Sequence, residues 1–300
     1  MLRALIDIAL RRYAGGAGLF LPAATPTGGV PGSVLVLAPG PVPTADIYLA
    51  ARLPQCCPSS EIRVIDTRAS PLPLEPPPDG AAAIIVRHAP DAWLDWLEAQ
   101  RARLGRVIFL LDDDIPAALA APELPLGYAL RTAARYARAR RRLARVCDSI
   151  WVSTAELARR YADCAPQLCE PVYVPPRAGA VRRAAAEGPA YCYHGTWAHR
   201  REIEWLLPVI GAVQSACPDA RFEIVGDARV RRMFRGIPRV AVRAPMSWPQ
   251  YLAYASTVSF QVGLAPCLDT PFNRARSHVK FFDITRLGAV GIYSDAPPYA

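Results

Sequence analysis

A chain of 300 residues, 52% apolar and 20% charged, carries enough apolar material for one large or two ordinary packed domains, which excludes a disordered chain. Its net charge of +9 favours partners with phosphate or other anionic groups without choosing among sugar nucleotides, lipid surfaces and nucleic acid. No run reaches the ~18 apolar residues of a membrane span.

The first segment, Met1–Arg12, reads as a short amphipathic helix, because Asp7 interrupts what would be the apolar core of a leader. A soluble, cytoplasmic protein is expected, and contact with the inner face of the membrane is left open. Cys56, Cys57, Cys147, Cys164, Cys169, Cys192, Cys217 and Cys267 form no CxxC pair and have no histidine at ligand spacing. They are expected to be buried free thiols, with no metal site.

Apolar runs of strand length then alternate with helical segments, the pattern of a parallel α/β sheet. The strands predicted in the first half are Ser33–Ala38, Glu61–Asp66, Ala82–Arg87, Arg106–Leu111, Ser149–Val152 and Pro171–Val174, with helices over 44–53, 91–103, 127–146 and 154–162. Asp112, Asp113 and Asp114 follow the fourth strand. Three adjacent carboxylates repel one another, so they are read as a solvated loop that binds hydroxyls or caps a helix. His88, after the third strand, either hydrogen-bonds a sugar or is a neutral histidine at the edge of a core. In the helix at 127–146, Arg131, Arg135, Arg138, Arg142 and Arg145 form a basic stripe opposite Tyr136, Ala139, Leu143 and Val146. That stripe is either a solvated face or a dock for anionic lipid. It lacks the interleaved aromatic residues of a nucleic-acid surface, and no nucleic-acid partner is expected.

The proline-flanked stretch 177–189 reads as a linker between a first domain at 1–176 and a second at 190–300. Beyond it the predicted order is strand Tyr191–His194, helix 199–214, strands Arg221–Val225 and Arg239–Val242, helix 247–256, strand Ser259–Leu264, a further helix and strand Val290–Tyr293. In open parallel sheets ligands sit beyond the C-terminal strand ends. There His194-Gly-Thr-Trp-Ala-His-Arg-Arg-Glu202 offers a glycine for close backbone approach and arginines for phosphate oxygens. The last helix is predicted to start with Ser277 as its N-cap, to place Lys280 and Asp283 on one polar stripe, and to turn Phe281, Ile284 and Gly288 toward a core. A helix N-terminus with a cation one turn in suits a diphosphate. Lys280 is also the single lysine among the 35 basic residues.

Four places in order, Val107–Ile115, Ser149–Leu157, Tyr193–Glu202 and Gly263–Asp283 with Gly288–Asp295, resemble retaining glycosyltransferases of the two-Rossmann GT-B fold, in the group that includes bacterial mannosyl- and glucosyltransferases. The resemblance implies two doubly wound α/β domains facing a cleft, the second apparently short at its C-terminus because relatives continue with a further strand and a crossing helix. It implies a nucleoside-diphosphate sugar as co-substrate, no cofactor, and a glycan, lipid-linked or other surface-glycoconjugate acceptor. Arg201, Lys280 and Asp283 then take the catalytic positions. Gly195, Thr196, His199, Arg274 and Ser277 line the donor side, and His88, Asp112 and Asp113 the acceptor side. Asp283 falls at the second acid of the family's two-glutamate motif, whereas the first is Ala275. Either Asn273, Arg274 or Asp269 replaces that acid or activity is altered. Two other readings therefore stay open, a non-catalytic sugar-nucleotide-binding remnant and a basic binder of anionic surfaces or nucleic acid.

Overall fold

The computed structural model describes residues 29–72, 75–175 and 188–300, so the expected helix at Met1–Arg12 and linker residues 177–187 lie outside the described residues. The chain forms two compact units. Of the described residues, the first holds those through Ala120, Ala129–Val174 and Ala275–Ser277, and the second holds Ala121–Tyr128, Pro175, 188–274 and His278–Ala300.

The first unit is built on strands β1 (Ser33–Ala38), β2 (Glu61–Asp66), β3 (Ala81–Val86), β4 (Leu104–Leu111), β5 (Ser149–Val152) and β6 (Gln167–Leu168), all parallel in the order β2-β1-β3-β4-β5-β6. Every residue of β1 and β3 is buried, as expected for central strands covered on both faces. On one face Leu35, Leu37, Ile85, Phe109 and Leu111 pack with Trp93 and Leu97 of a helix and with Leu143 and Val146 of another. Those helices are α3 (Asp91–Gln100) and α4 (Leu126–Val146), preceded in the chain by α1 (Pro43–Ala45), a π-helical turn Asp46–Ala50 and α2 (Arg52–Cys56). Helix α5 (Ala155–Arg160) begins at Thr154, whose hydroxyl accepts from the Leu157 amide at 3.2 Å.

The second unit repeats the plan with β7 (Ala190–His194), β8 (Arg221–Val225), β9 (Val240–Arg243), β10 (Val262–Ala265) and β11 (Val290–Tyr293), parallel in the order β11-β10-β7-β8-β9. Its helices are α6 (Arg200–Ala216), α7 (Ala228–Met233), α8 (Trp248–Ala255), α9 (Pro271–Arg274) and α10 (Val279–Arg286). Strand β7 sends Tyr191 and Tyr193 into one core with Phe222, Ile203 and Ile210, and Cys192 into another with Ala255 and Leu287. Both units are therefore doubly wound parallel α/β sheets, as the alternating pattern predicts. In each the first strand lies inside the sheet, with the strand order reversing between β1 and β3 and between β7 and β10.

Three expectations need correction. Pro171–Val174 is not a strand. Its Val172 amide bonds to the Ile47 carbonyl at 2.8 Å, and the sheet ends instead on the exposed pair Gln167–Leu168. All eight cysteines are free, but Cys56 and Cys217 are exposed and only Cys147, Cys164, Cys169 and Cys192 are buried. Phe281 points outward at 48% exposure, and Phe282 takes the buried place beside Ile284.

Candidate functional site

The C-terminal end of β7 lies at the strand-order reversal of the second sheet, where open α/β sheets present their ligand crevice. Lys280, on the first turn of α10, donates to the backbone carbonyl of His194 at that end. Its ammonium is 5.7 Å from the centre of the Tyr193 ring and 3.8 Å from Asp283 Oδ2, with the side chain 19% exposed. Asp283 Oδ1 accepts from Arg286 at 3.1 Å, and the buried Arg286 guanidinium also lies 5.3 Å from the Trp248 ring. A half-buried carboxylate thus lies between two cations at the mouth of a parallel sheet. Helix α10 comes close to β10 because residue 263 is glycine: a Cβ there would stand 2.7 Å from Ile284 Cγ1.

Behind this end is a polar cluster that the sequence reading missed. His194 Nε2 is 3.2 Å from Glu223 Oε1, and its Nδ1 is 3.4 Å from the Tyr251 hydroxyl. The Tyr254 hydroxyl donates to Glu223 Oε1, while Arg243 donates to Oε2 at 2.8 Å and lies 4.3 Å from the Tyr254 ring. Burial alone would raise the Glu223 carboxyl, but the hydrogen bonds from His194 and Tyr254 and the Arg243 charge outweigh it and hold the group below the usual carboxylate range. The signal was present in the sequence, since a glutamate among the strand residues Arg-Phe-Glu-Ile-Val must be paired once it faces inward. Burial pushes the Tyr251 phenol well above its ordinary value.

The remaining donor-side residues are dispersed. Gly195 is buried, and a Cβ there would stand 2.6 Å from the Tyr193 hydroxyl, so its lack of a side chain makes room for that ring. Thr196 is exposed and opens the turn Trp197–His199, accepting the His199 amide at 2.9 Å. Arg201 is half-exposed on α6 and pairs with Glu204 at 3.3 Å. Arg274 forms a two-toothed pair with Asp269, at 2.5 and 2.8 Å. Ser277 is not the N-cap of α10. His278 holds that position without a side-chain cap, because the Ser277 hydroxyl is engaged with Tyr48 Oη at 2.5 Å. Asn273 is buried and donates to Glu202 at 3.0 Å and to the Leu268 carbonyl at 2.9 Å. Ala275, where the motif's first acid would stand, is fully buried in the apolar cluster of the first unit.

In the first unit the aspartate run is not a solvated loop, because each carboxylate has a partner of its own besides Arg87, which Asp112 and Asp113 share. Asp112 accepts from Thr44 at 2.6 Å and faces Arg87 Nε at 3.1 Å. Asp113 pairs with Arg87 at 3.1 Å and with Arg276 at 3.6 Å. Buried Asp114 takes Arg160 at 2.6 Å and the Tyr161 hydroxyl. Burial chiefly raises the Asp112 carboxyl, Arg87 opposes it, and Asp113 adds to it. Arg87 holds a left-handed backbone conformation (φ 64°) directly after β3, strain of the kind stored where a side chain must be aimed.

His88 follows Arg87. Burial first, then the charges of Arg135, Arg68 and Arg87, lower its imidazole from 6.5 to about 4, so it is neutral at pH 7 and can hydrogen-bond a hydroxyl. The unfolded chain then takes up this proton before the folded one does. Stability linked to His88 is complete above pH 6.5 and is lost as pH falls toward 4. The loss in urea midpoint between pH 7 and pH 5 is expected to be smaller in His88→Gln than in the parent, and equal losses would contradict this placement.

No family model matches the chain, and no curated protein does. Among solved structures it is similar to a mutant form of the Thermobaculum terrenum O-GlcNAc transferase, with 13% identity over 95% of this chain and 65% of that one and a TM-score of 0.47. It is similar also to TarM, with 10% identity, 72% and 41% coverage and a TM-score of 0.46. For the apo lipopolysaccharide outer core galactosyltransferase WaaB the values are 10%, 88% and 81%, and 0.43. The chain spans about two fifths of the length of TarM and of the matched chain of the GtfA/B complex.

Proposed function

We propose that this chain is a glycosyltransferase that binds a nucleoside-diphosphate sugar on its second unit and passes the sugar, with retention, to a glycan, lipid-linked or other surface-glycoconjugate acceptor. The observation that carries this reading is the position of Lys280 and Asp283 at the end of β7, where the strand order reverses. There the ammonium is suited to the diphosphate and the carboxylate to the hydroxyls of the nucleotide ribose. As the bond between the sugar's anomeric carbon and the diphosphate breaks, negative charge grows on the leaving oxygens, and preorganised cations lower that barrier. In this reading Arg201 and Arg274 would turn from Glu204 and Asp269 to assist Lys280. The departing phosphate takes the acceptor hydroxyl's proton as the new glycosidic bond forms on the same face. No separate protein base is then required. Neutral His88 and the Asp112–Asp113 pair would receive acceptor hydroxyls.

Ala275 favours a second reading, binding without transfer, because no carboxylate stands at its position and Arg274 and Asp269 engage each other. One experiment separates the two: thermal shifts with a panel of nucleoside-diphosphate sugars, followed by product analysis for each that stabilises the protein. Stabilisation with sugar release or transfer supports the enzyme, whereas stabilisation without turnover supports the binder. No shift with any member removes both.

A further inference from the structure

Helix α4 carries seven arginines and no acidic residue in its 21 positions. Its two halves differ sharply. Ala139, Leu143 and Val146 are buried and Tyr136 packs beside them, while Leu126, Leu130, Arg131, Ala134, Arg135, Arg138 and Arg141 on the opposite half are exposed. Not all of the basic stripe is available. Arg142 is bound to Asp95 at 2.5 Å and to Glu98 at 3.0 Å, and Arg145 reaches Glu98 at 3.1 Å, so the C-terminal end of the stripe is neutralised by α3. Arg131, Arg135, Arg138 and Arg141, by contrast, make no ion pair among the described residues. Like charges three and four residues apart destabilise a helix, and an external anionic surface would relieve that repulsion.

We infer that this half of α4 docks on an anionic lipid surface. The arginines would lie among the headgroups and Leu126 and Leu130 would enter the acyl boundary. A basic face flanked by exposed leucines is the composition of an interfacial helix, whereas stacking aromatic residues, the mark of a nucleic-acid surface, are absent from the exposed half. No helix among the described residues is long and apolar enough to cross a membrane, so the association would be peripheral. Arg135 lies close enough to His88 to lower its basicity, which puts the docking face beside the proposed acceptor residues of the same unit. The inference does not depend on the nucleotide site.

The full chain is tested by flotation with vesicles containing phosphatidylglycerol and with vesicles of phosphatidylcholine alone. Flotation is expected with the first and not the second, and it should be lost at about 1 M salt, where charges are screened within a few ångströms. Removing charge by Arg131→Gln, Arg138→Gln and Arg141→Gln together should weaken partitioning by on the order of fivefold per arginine. The pair Arg231→Gln and Arg232→Gln on α7 should leave it unchanged. A second variant, Leu126→Ser with Leu130→Ser, should weaken it without altering the salt dependence, and melting temperatures confirm that each variant is folded. The proposal is overturned by no flotation of the parent, by parental flotation of the triple variant, by an equal loss in the α7 pair, or by duplex DNA displacing the vesicles. Parental nucleotide affinity in a folded Lys280 variant that still floats would count against the donor site alone.

Discussion

Lys280→Met is expected to weaken nucleoside-diphosphate affinity by about 10- to 100-fold, the roughly 1.5–3 kcal/mol carried by a hydrogen bond to a charged group. Methionine keeps an apolar stem beside the Tyr193 ring and removes only the ammonium, which otherwise bonds to the His194 carbonyl and faces Asp283. Some stability will be lost with the carbonyl's partner, so circular dichroism and the melting temperature must accompany calorimetry. A folded variant with parental affinity would remove the donor site from the end of β7. Lys280→Arg should recover part of the affinity, since the charge returns on a broader and differently shaped group.

Arg286→Ala is expected to destabilise the protein by about 3 kcal/mol, the lower end for removing one partner of a buried ion pair. Arg286 is 4% exposed, and its guanidinium donates to Asp283 and lies against Trp248, so truncation removes packing as well as charge. Asp283 would then face Lys280 alone and draw the ammonium toward itself. Nucleotide affinity should fall with stability in this variant, whereas in Lys280→Met affinity should fall more than stability does. Urea unfolding beside nucleotide titration checks both. A change below about 1 kcal/mol, the range of exposed pairs, would mean that the pair is solvated in practice.

Much of the framework was legible because strand-length runs rich in apolar and β-branched residues alternate with helical segments, whether the strand is central and buried, as Ser33–Ala38, or at an edge and largely exposed, as Glu61–Asp66. Ser33–Ala38, Glu61–Asp66, Ser149–Val152, Arg221–Val225 and Val290–Tyr293 have the limits their side chains predict. Gln167–Leu168 was invisible, since a two-residue exposed edge strand has no period. The helices Ala228–Met233 and Pro271–Arg274 were too short to register. In the site, the adjacency of Lys280 and Asp283 followed from helical spacing alone. Ser277 misled because a capping residue type says what its hydroxyl can accept and not which neighbour, here Tyr48, will engage it first. The aspartate run misled for a related reason, as the cations that separate its members, Arg87, Arg276 and Arg160, are distant in sequence.

The burial of Ala275 also bears on how this chain could change over time. At an exposed position a single substitution could place a carboxylate at little cost. With its methyl group enclosed by apolar side chains, a carboxylate there would cost several kcal/mol unless a partner were buried beside it, against a total stability of about 5–15 kcal/mol. A carboxylate at residue 275 would therefore require compensating changes in the surrounding core. Whatever chemistry the chain performs, it performs without a carboxylate at residue 275, and that apolar cluster resists acquiring one.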